Sequence, residues 1–233
     1  MIELRPFEKL GQFENDWLKA RFHFSFADYF DPQRMGWGVL RVWNDDRIRP
    51  DTGFPPHPHR DMEIITYIRE GAITHKDGLG NRGRTVAGDV QVMSAGSGVM
   101  HAEYNREPED TRLFQIWIET ARKSAEPRWE TKSFPLAERA GCFAPLASGR
   151  KSDLEKGALL IHQDAAVLGA TLAAGQKAEY GLAGRRGYLV ATRGGVLVNG
   201  VEAKARDGVA IQGLETIMVE AKGETEVVLA DVP

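Results

Sequence analysis

Two short runs of this 233-residue chain carry side chains that together could hold a transition metal. The first is Gly53-Phe54-Pro55-Pro56-His57-Pro58-His59-Arg60-Asp61-Met62-Glu63, and the second is His101-Ala102-Glu103-Tyr104-Asn105. In an extended strand, residues i and i+2 point to one face, about 6.5–7 Å apart. His57 and His59 can therefore converge on one point. His101 and Glu103 form a second same-face pair, which a neighbouring strand would bring opposite the first. Glu63 shares the parity of the first pair if its strand runs on unbroken. Three imidazoles and one carboxylate make a donor set suited to Fe, Ni, Cu, Zn, Mn or Co, and no thiolate narrows the choice. An open position beside them would accept water, dioxygen or a substrate oxygen. A lone H-x-H between prolines is an ordinary surface turn. The two pairs together, each with an acid at even spacing, point to a metal site. Either Glu103 or Glu63 could be the carboxylate ligand and the general base.

The other three of the six histidines, His23, His75 and His162, have no second histidine at i+2. His23 is expected to pack within its aromatic segment, His75 to be exposed beside a charged turn, and His162 to serve the second half structurally.

Short strands must position these groups. Trp37–Trp43, Met62–Arg69, Ala72–His75, Arg84–Val86, Asp89–Met93 and Leu113–Glu119 read as strands, with Asn44-Asp45-Asp46 as a turn after the first. On Met62–Arg69, Ile64, Thr66 and Ile68 share one face and Glu63, Ile65 and Tyr67 the other. The alternation of Phe22, Phe24 and Phe26 predicts another strand with one apolar face. A short helix is expected around Glu14–Ala20. Residues 120–135 are polar and interrupted by proline, and read as a link. Strands resume over Leu159–His162, Ala166–Ala173, Tyr188–Arg193, Val196–Asn199, Gly208–Gln212 and Thr225–Asp231. The strand–glycine–strand rhythm of 65–92 returns over 188–211, as in a duplicated unit. Strands at this spacing with no sustained helical period predict an all-β sandwich or barrel.

Composition excludes several classes. The 30 basic and 33 acidic residues give a net charge of −3, which argues against general nucleic-acid binding. No run of eighteen apolar residues occurs, so no membrane span is expected, and the start of the chain lacks the pattern of a secretory signal. The single cysteine, Cys142, suits a reducing compartment, so a cytoplasmic location is expected.

The two histidine groups resemble the paired motifs of the cupins, with Gly53, His57, His59, Glu63 and Gly71 in the first and Gly88, Gly96, His101 and Asn105 in the second. More narrowly, His57–Glu63, Met93–Asn105 and His23–Tyr29 look like pirins, above all the bacterial pirin-like quercetin 2,3-dioxygenases. Ser94, where cupins usually have proline, is shared with pirins. The resemblance implies a bicupin of two antiparallel β-barrel (jelly-roll) domains face to face. Residues 1–130 would form the metal-binding domain and 131–233 a C-terminal domain without metal ligands. It implies one divalent metal on His57, His59, His101 and Glu103, with Glu63 nearby. It further implies cleavage of a flavonol such as quercetin by dioxygen with release of carbon monoxide. Phe54, Ile65, Val92, Met93 and Val99 are candidates for the pocket wall, with ordinary core packing as the alternative for each. Pirins are also described as regulatory partners of other proteins, which makes a metal- or redox-sensing binding protein the alternative function. A monomer is expected.

Overall fold

The computed structural model describes residues 1–233 and contains four antiparallel-rich sheets with almost no helix. In the first half, a seven-stranded sheet runs β12(Arg128–Lys132)-β9(Val90–Ser94)-β6(Met62–Glu70)-β11(Thr111–Glu119)-β4(Leu40–Ile48)-β3(Leu18–Phe22)-β2(Gly11–Glu14). Over it lies a four-stranded sheet, β5(Gly53–His59)-β10(Val99–Tyr104)-β7(Ala72–Asp77)-β8(Arg82–Val86). The second half repeats the plan. Its seven strands are β1(Ile2–Arg5)-β20(Gly208–Gln212)-β17(Arg186–Ala191)-β22(Thr225–Val232)-β15(Ala166–Leu172)-β13(Ala144–Ser148)-β14(Leu159–Leu160). Its four are β16(Lys177–Gly181)-β21(Thr216–Ala221)-β18(Val196–Val198)-β19(Val201–Ala203). The expected all-β architecture of two cupin jelly rolls is what the chain forms. The N-terminal strand β1 crosses over and pairs with β20 of the second half. No helix is long and apolar enough to cross a membrane.

The large sheets pack against each other. Trp43, Ile65, Tyr67, Phe114, Ile116 and Ile118 from the first meet Val167, Tyr188, Val190, Val228 and Ala230 from the second in one buried cluster. Because strand faces alternate, the neighbours of these residues turn inward, into each sandwich. In the second sandwich an apolar cluster fills the interior, with residues such as Leu168, Leu189, Val209, Ile217, Val219 and Leu229. In the first it is apolar at one end, around Leu18, Phe22, Ile48, Ile68 and Leu113, and polar at the other.

Four local expectations are corrected. The expected helix at Glu14–Ala20 is instead the hairpin β2–β3, because Asn15 Oδ1 accepts the backbone N–H groups of Trp17 and Leu18 and turns the chain. Phe22 and Phe24 do not share a face. Phe22 faces the sandwich interior and Phe24 the inter-sheet core, since the strand ends at Phe22. Asn44-Asp45-Asp46 is the middle of β4, not a turn. Arg69 and Arg206 neutralise Asp45 there, a long-range pairing that local composition cannot show. The polar link contains β12, paired to the sheet edge beside β9.

Candidate metal centre

The polar end of the first sandwich holds His57 and His59 from β5, His75 and Asp77 from β7, and His101 and Glu103 from β10. His101 lies directly opposite His57 in the β5–β10 ladder, and the register then slips so that Glu103 faces Phe54. The slip falls at Pro55-Pro56. Proline cannot donate to a ladder and is tolerated on an edge strand, which β5 is. Two close approaches hold the strands: Gly53 pairs with Tyr104, and a Cβ on Gly53 would run into the Glu103 carbonyl oxygen and come within 2.6 Å of Tyr104 Cα. Gly53→Ala is expected to cost about 1–3 kcal/mol through overpacking and to weaken any divalent-metal binding at these histidines by displacing β10. Urea unfolding and a nickel titration check this, and an unchanged urea midpoint would contradict it.

The ligand atoms of His57, His59 and His101 lie within 4.8 Å of one another. His101 Nε2 is 3.1 Å from His57 Nε2. His57 Nδ1 sits 2.8 Å from the Pro55 carbonyl oxygen, which only accepts, so Nδ1 carries a proton, and in the neutral ring Nε2 presents a lone pair. Burial, with the neighbouring imidazoles, lowers His59 to about 4 and His101 to about 2, so both rings are neutral donors at neutral pH.

Glu103 is buried between two amides. Gln91 Nε2 and Gln115 Nε2 donate to its two oxygens, the latter at 2.7 Å. Gln91 is oriented by Thr85 and Trp129, which donate to its Oε1 at 3.1 and 3.3 Å, leaving its NH2 toward Glu103. Burial raises Glu103 to about 7 against the pull of Gln115 and Gln91. A buried carboxylate and neutral imidazoles are a donor set that a divalent cation fits.

Glu63 stands elsewhere. The strand does not run on from His59. Asp61 takes a left-handed φ of 48°, and Met62 begins a strand of the other sheet. Glu63 shares the face of Ile65 and Tyr67, toward the second half, and Ser94 Oγ donates to it at 2.6 Å. Neither group of potential ligands includes it. His75, expected to be exposed, is fully buried beside His101. Its role was hidden because β7 meets β10 only through long-range pairing, which sets His75 opposite Glu103. His23 is buried as expected, with Nδ1 2.8 Å from Tyr188 Oη.

A cavity of about 580 Å³ opens beside the histidines. Phe22, Phe26, Tyr29, Phe54 and Trp117 supply flat walls, while Asn44, Asp46 and Gln115 add buried polar atoms. Of the expected wall residues only Phe54 lines it. Ile65 and Val92 pack in the inter-sheet core, and Met93 and Val99 in a small cluster with Ile64. Trp117 meets His59 edge to face at 4.9 Å.

Two face-to-face cupin sandwiches, the first with a buried His/Glu group able to take a metal and the second packed around an apolar cluster, define a bicupin with a candidate metal centre in its first half. The chain belongs to the pirin family: the pirin family model matches residues 3–118, and that of the quercetinase C-terminal cupin domain matches residues 146–232. It is 60% identical over 232 residues to a pirin-like protein of Caulobacter vibrioides, covering 99% of each chain. It is 38% identical over 236 residues to quercetin 2,3-dioxygenase of Escherichia coli K12, covering 100% of this chain and 99% of that one. The solved structure of the bacterial pirin YhhW from Escherichia coli in complex with nickel(II) superposes with a TM-score of 0.93 at 39% identity, covering 100% of this chain and 99% of the other.

Proposed function

We propose that this protein is a metal-dependent dioxygenase that opens a flavonol such as quercetin with dioxygen, inserting both oxygen atoms and releasing carbon monoxide. The observation that carries this reading is that the ligand atoms of His57, His59 and His101 lie within 4.8 Å of one another, while Glu103, close to His101, lines the same aromatic-walled cavity. A relative 38% identical over the whole chain bears the quercetin 2,3-dioxygenase name, which supports the same substrate class. These four residues would hold the cation. When bound, it supplies Lewis-acid stabilisation of an oxygen anion and a redox path toward dioxygen.

The chain's own residues do the rest. Phe22, Tyr29 and Trp117 receive flat rings and exclude water from them. The proton of the reacting hydroxyl passes to Glu103. Each of its oxygens accepts one amide N–H, which leaves a second lone pair free. Gln91 and Gln115 keep that carboxylate from turning away. Glu63, bound to Ser94 outside the cavity, takes no part in this reading.

The test loads the protein separately with Fe, Ni, Cu, Mn and Co. It follows oxygen uptake, loss of quercetin absorbance and carbon monoxide release together, with one molecule of each expected per turnover. No oxygen uptake with any metal across several flavonols would overturn the proposal.

A further inference from the structure

We infer that Asp77 and His75 position His101 for the metal by fixing its proton on Nδ1, through a chain of two hydrogen bonds that ends at the His101 Nε2 lone pair. This rests on the reading of His101 as a ligand. Asp77 is the anchor. Its carboxylate accepts Asn81 Nδ2 at 2.8 Å and the backbone N–H groups of Leu79 and Asn81 at 2.9 Å each, all within one tight turn. Asp77 Oδ2 lies 3.3 Å from His75 Nε2. An ionised carboxylate only accepts, so His75 carries its proton on Nε2. A neutral imidazole has one N–H, so His75 Nδ1 holds a lone pair. That lone pair is 3.4 Å from His101 Nδ1, which must then donate. His101 Nε2 is left bare and faces His57 Nε2, itself bare because His57 donates from Nδ1 to Pro55.

The chain is held rigidly. His75 is fully buried and stacks on Trp129 at 4.7 Å with the rings 9° apart, so it cannot swing away from His101. The alternative use of His75 is as a ligand itself, since His75, His101 and Glu103 also form a close group. In that case a second cation would need nitrogen atoms that this hydrogen-bond chain already occupies. Metal ligands of the histidine type gain affinity when their other nitrogen donates to a fixed acceptor, and losing that acceptor costs about 10–100-fold.

The test measures nickel(II) affinity and stoichiometry of the full chain by competition with a chelator. His75→Leu removes the acceptor and is expected to weaken binding by about 10–100-fold. His75→Gln, whose Oε1 can accept from His101 Nδ1, is expected to restore most of it. The wild type is expected to bind one nickel. A purely structural role for His75 would lower thermal stability without separating the Gln and Leu variants in affinity. Equal affinities in those two variants, or two nickel ions per chain, would overturn the inference.

Nitrogen NMR of the metal-free wild type with labelled histidine tests the chain without any variant. Protons on His75 Nε2 and His101 Nδ1 are expected, and the opposite tautomer on either ring would overturn it. If the tautomers are as stated and nickel does not bind, the metal-site reading falls and the hydrogen-bond chain stands. If nickel binds and the tautomers differ, the reverse holds.

Discussion

His101→Ala is expected to strip the protein of its metal and to slow oxygen-dependent consumption of quercetin by about 1,000-fold or more, as losing about 4 kcal/mol of metal-based stabilisation requires. The effect is large because His101 is central to the arrangement. Its Nε2 faces His57, its ring lies 5.0 Å from that of His59, and its Nδ1 meets His75. Outside the three proposed histidine ligands, the nearest histidine nitrogens, those of His75, are restrained by its stacking on Trp129 and its contact with Asp77. His162→Ala is the control. That residue engages through its carbonyl oxygen, which accepts Ala121 N–H and the Thr120 hydroxyl, so removing its ring should leave metal content and turnover as they were. Metal analysis of the purified variants and oxygen uptake read out both. Turnover of His101→Ala within tenfold of wild type, with metal retained, would contradict the assignment.

The histidine pairs were legible because the alternation of a strand is a local property, and His57, His59, His101 and Glu103 each sit in strands that keep it. Glu63 was misplaced by the same rule. Its parity with His59 assumed an unbroken strand, and the turn at Asp61 resets the faces. Asn44-Asp45-Asp46 shows the opposite failure. Three short polar residues locally favour a turn, yet Asn44 and Asp46 face the cavity while Asp45 faces Arg69 and Arg206. Asp46, which has no hydrogen-bond partner for Oδ1, is raised well above the ordinary carboxylate range by burial and by Asp45 and Glu103. Polar residues inside a long strand were therefore a mark of the cavity rather than of a turn. In the second half no histidine falls where the motifs would recur, and an apolar cluster packs inside its sandwich.

The contact between the two halves leads to the second large effect, on stability. Arg139→Met is expected to lower the unfolding free energy by about 3–5 kcal/mol, the usual consequence of leaving one partner of a buried ion pair without the other. Arg139 closes the short 3₁₀ turn Leu136–Arg139 and is 1% exposed. Its Nη1 donates to Tyr67 Oη at 2.8 Å, on β6 of the first half. Its Nη2 donates to Glu226 Oε2 at 3.2 Å, on β22 of the second half, and lies 3.4 Å from the Gly88 carbonyl oxygen. Methionine fills much of the same space, so the loss reports the stranded Glu226 carboxylate rather than a cavity. The sign of a second substitution then separates this account from simple packing. In the wild type, Glu226→Gln should destabilise by weakening the pair. In the Arg139→Met background the same change should stabilise, because it removes the uncompensated charge. Urea unfolding of the four proteins measures the cycle. A loss below about 1 kcal/mol for Arg139→Met, or a second substitution that destabilises in both backgrounds, would show that the halves are held by their apolar faces alone.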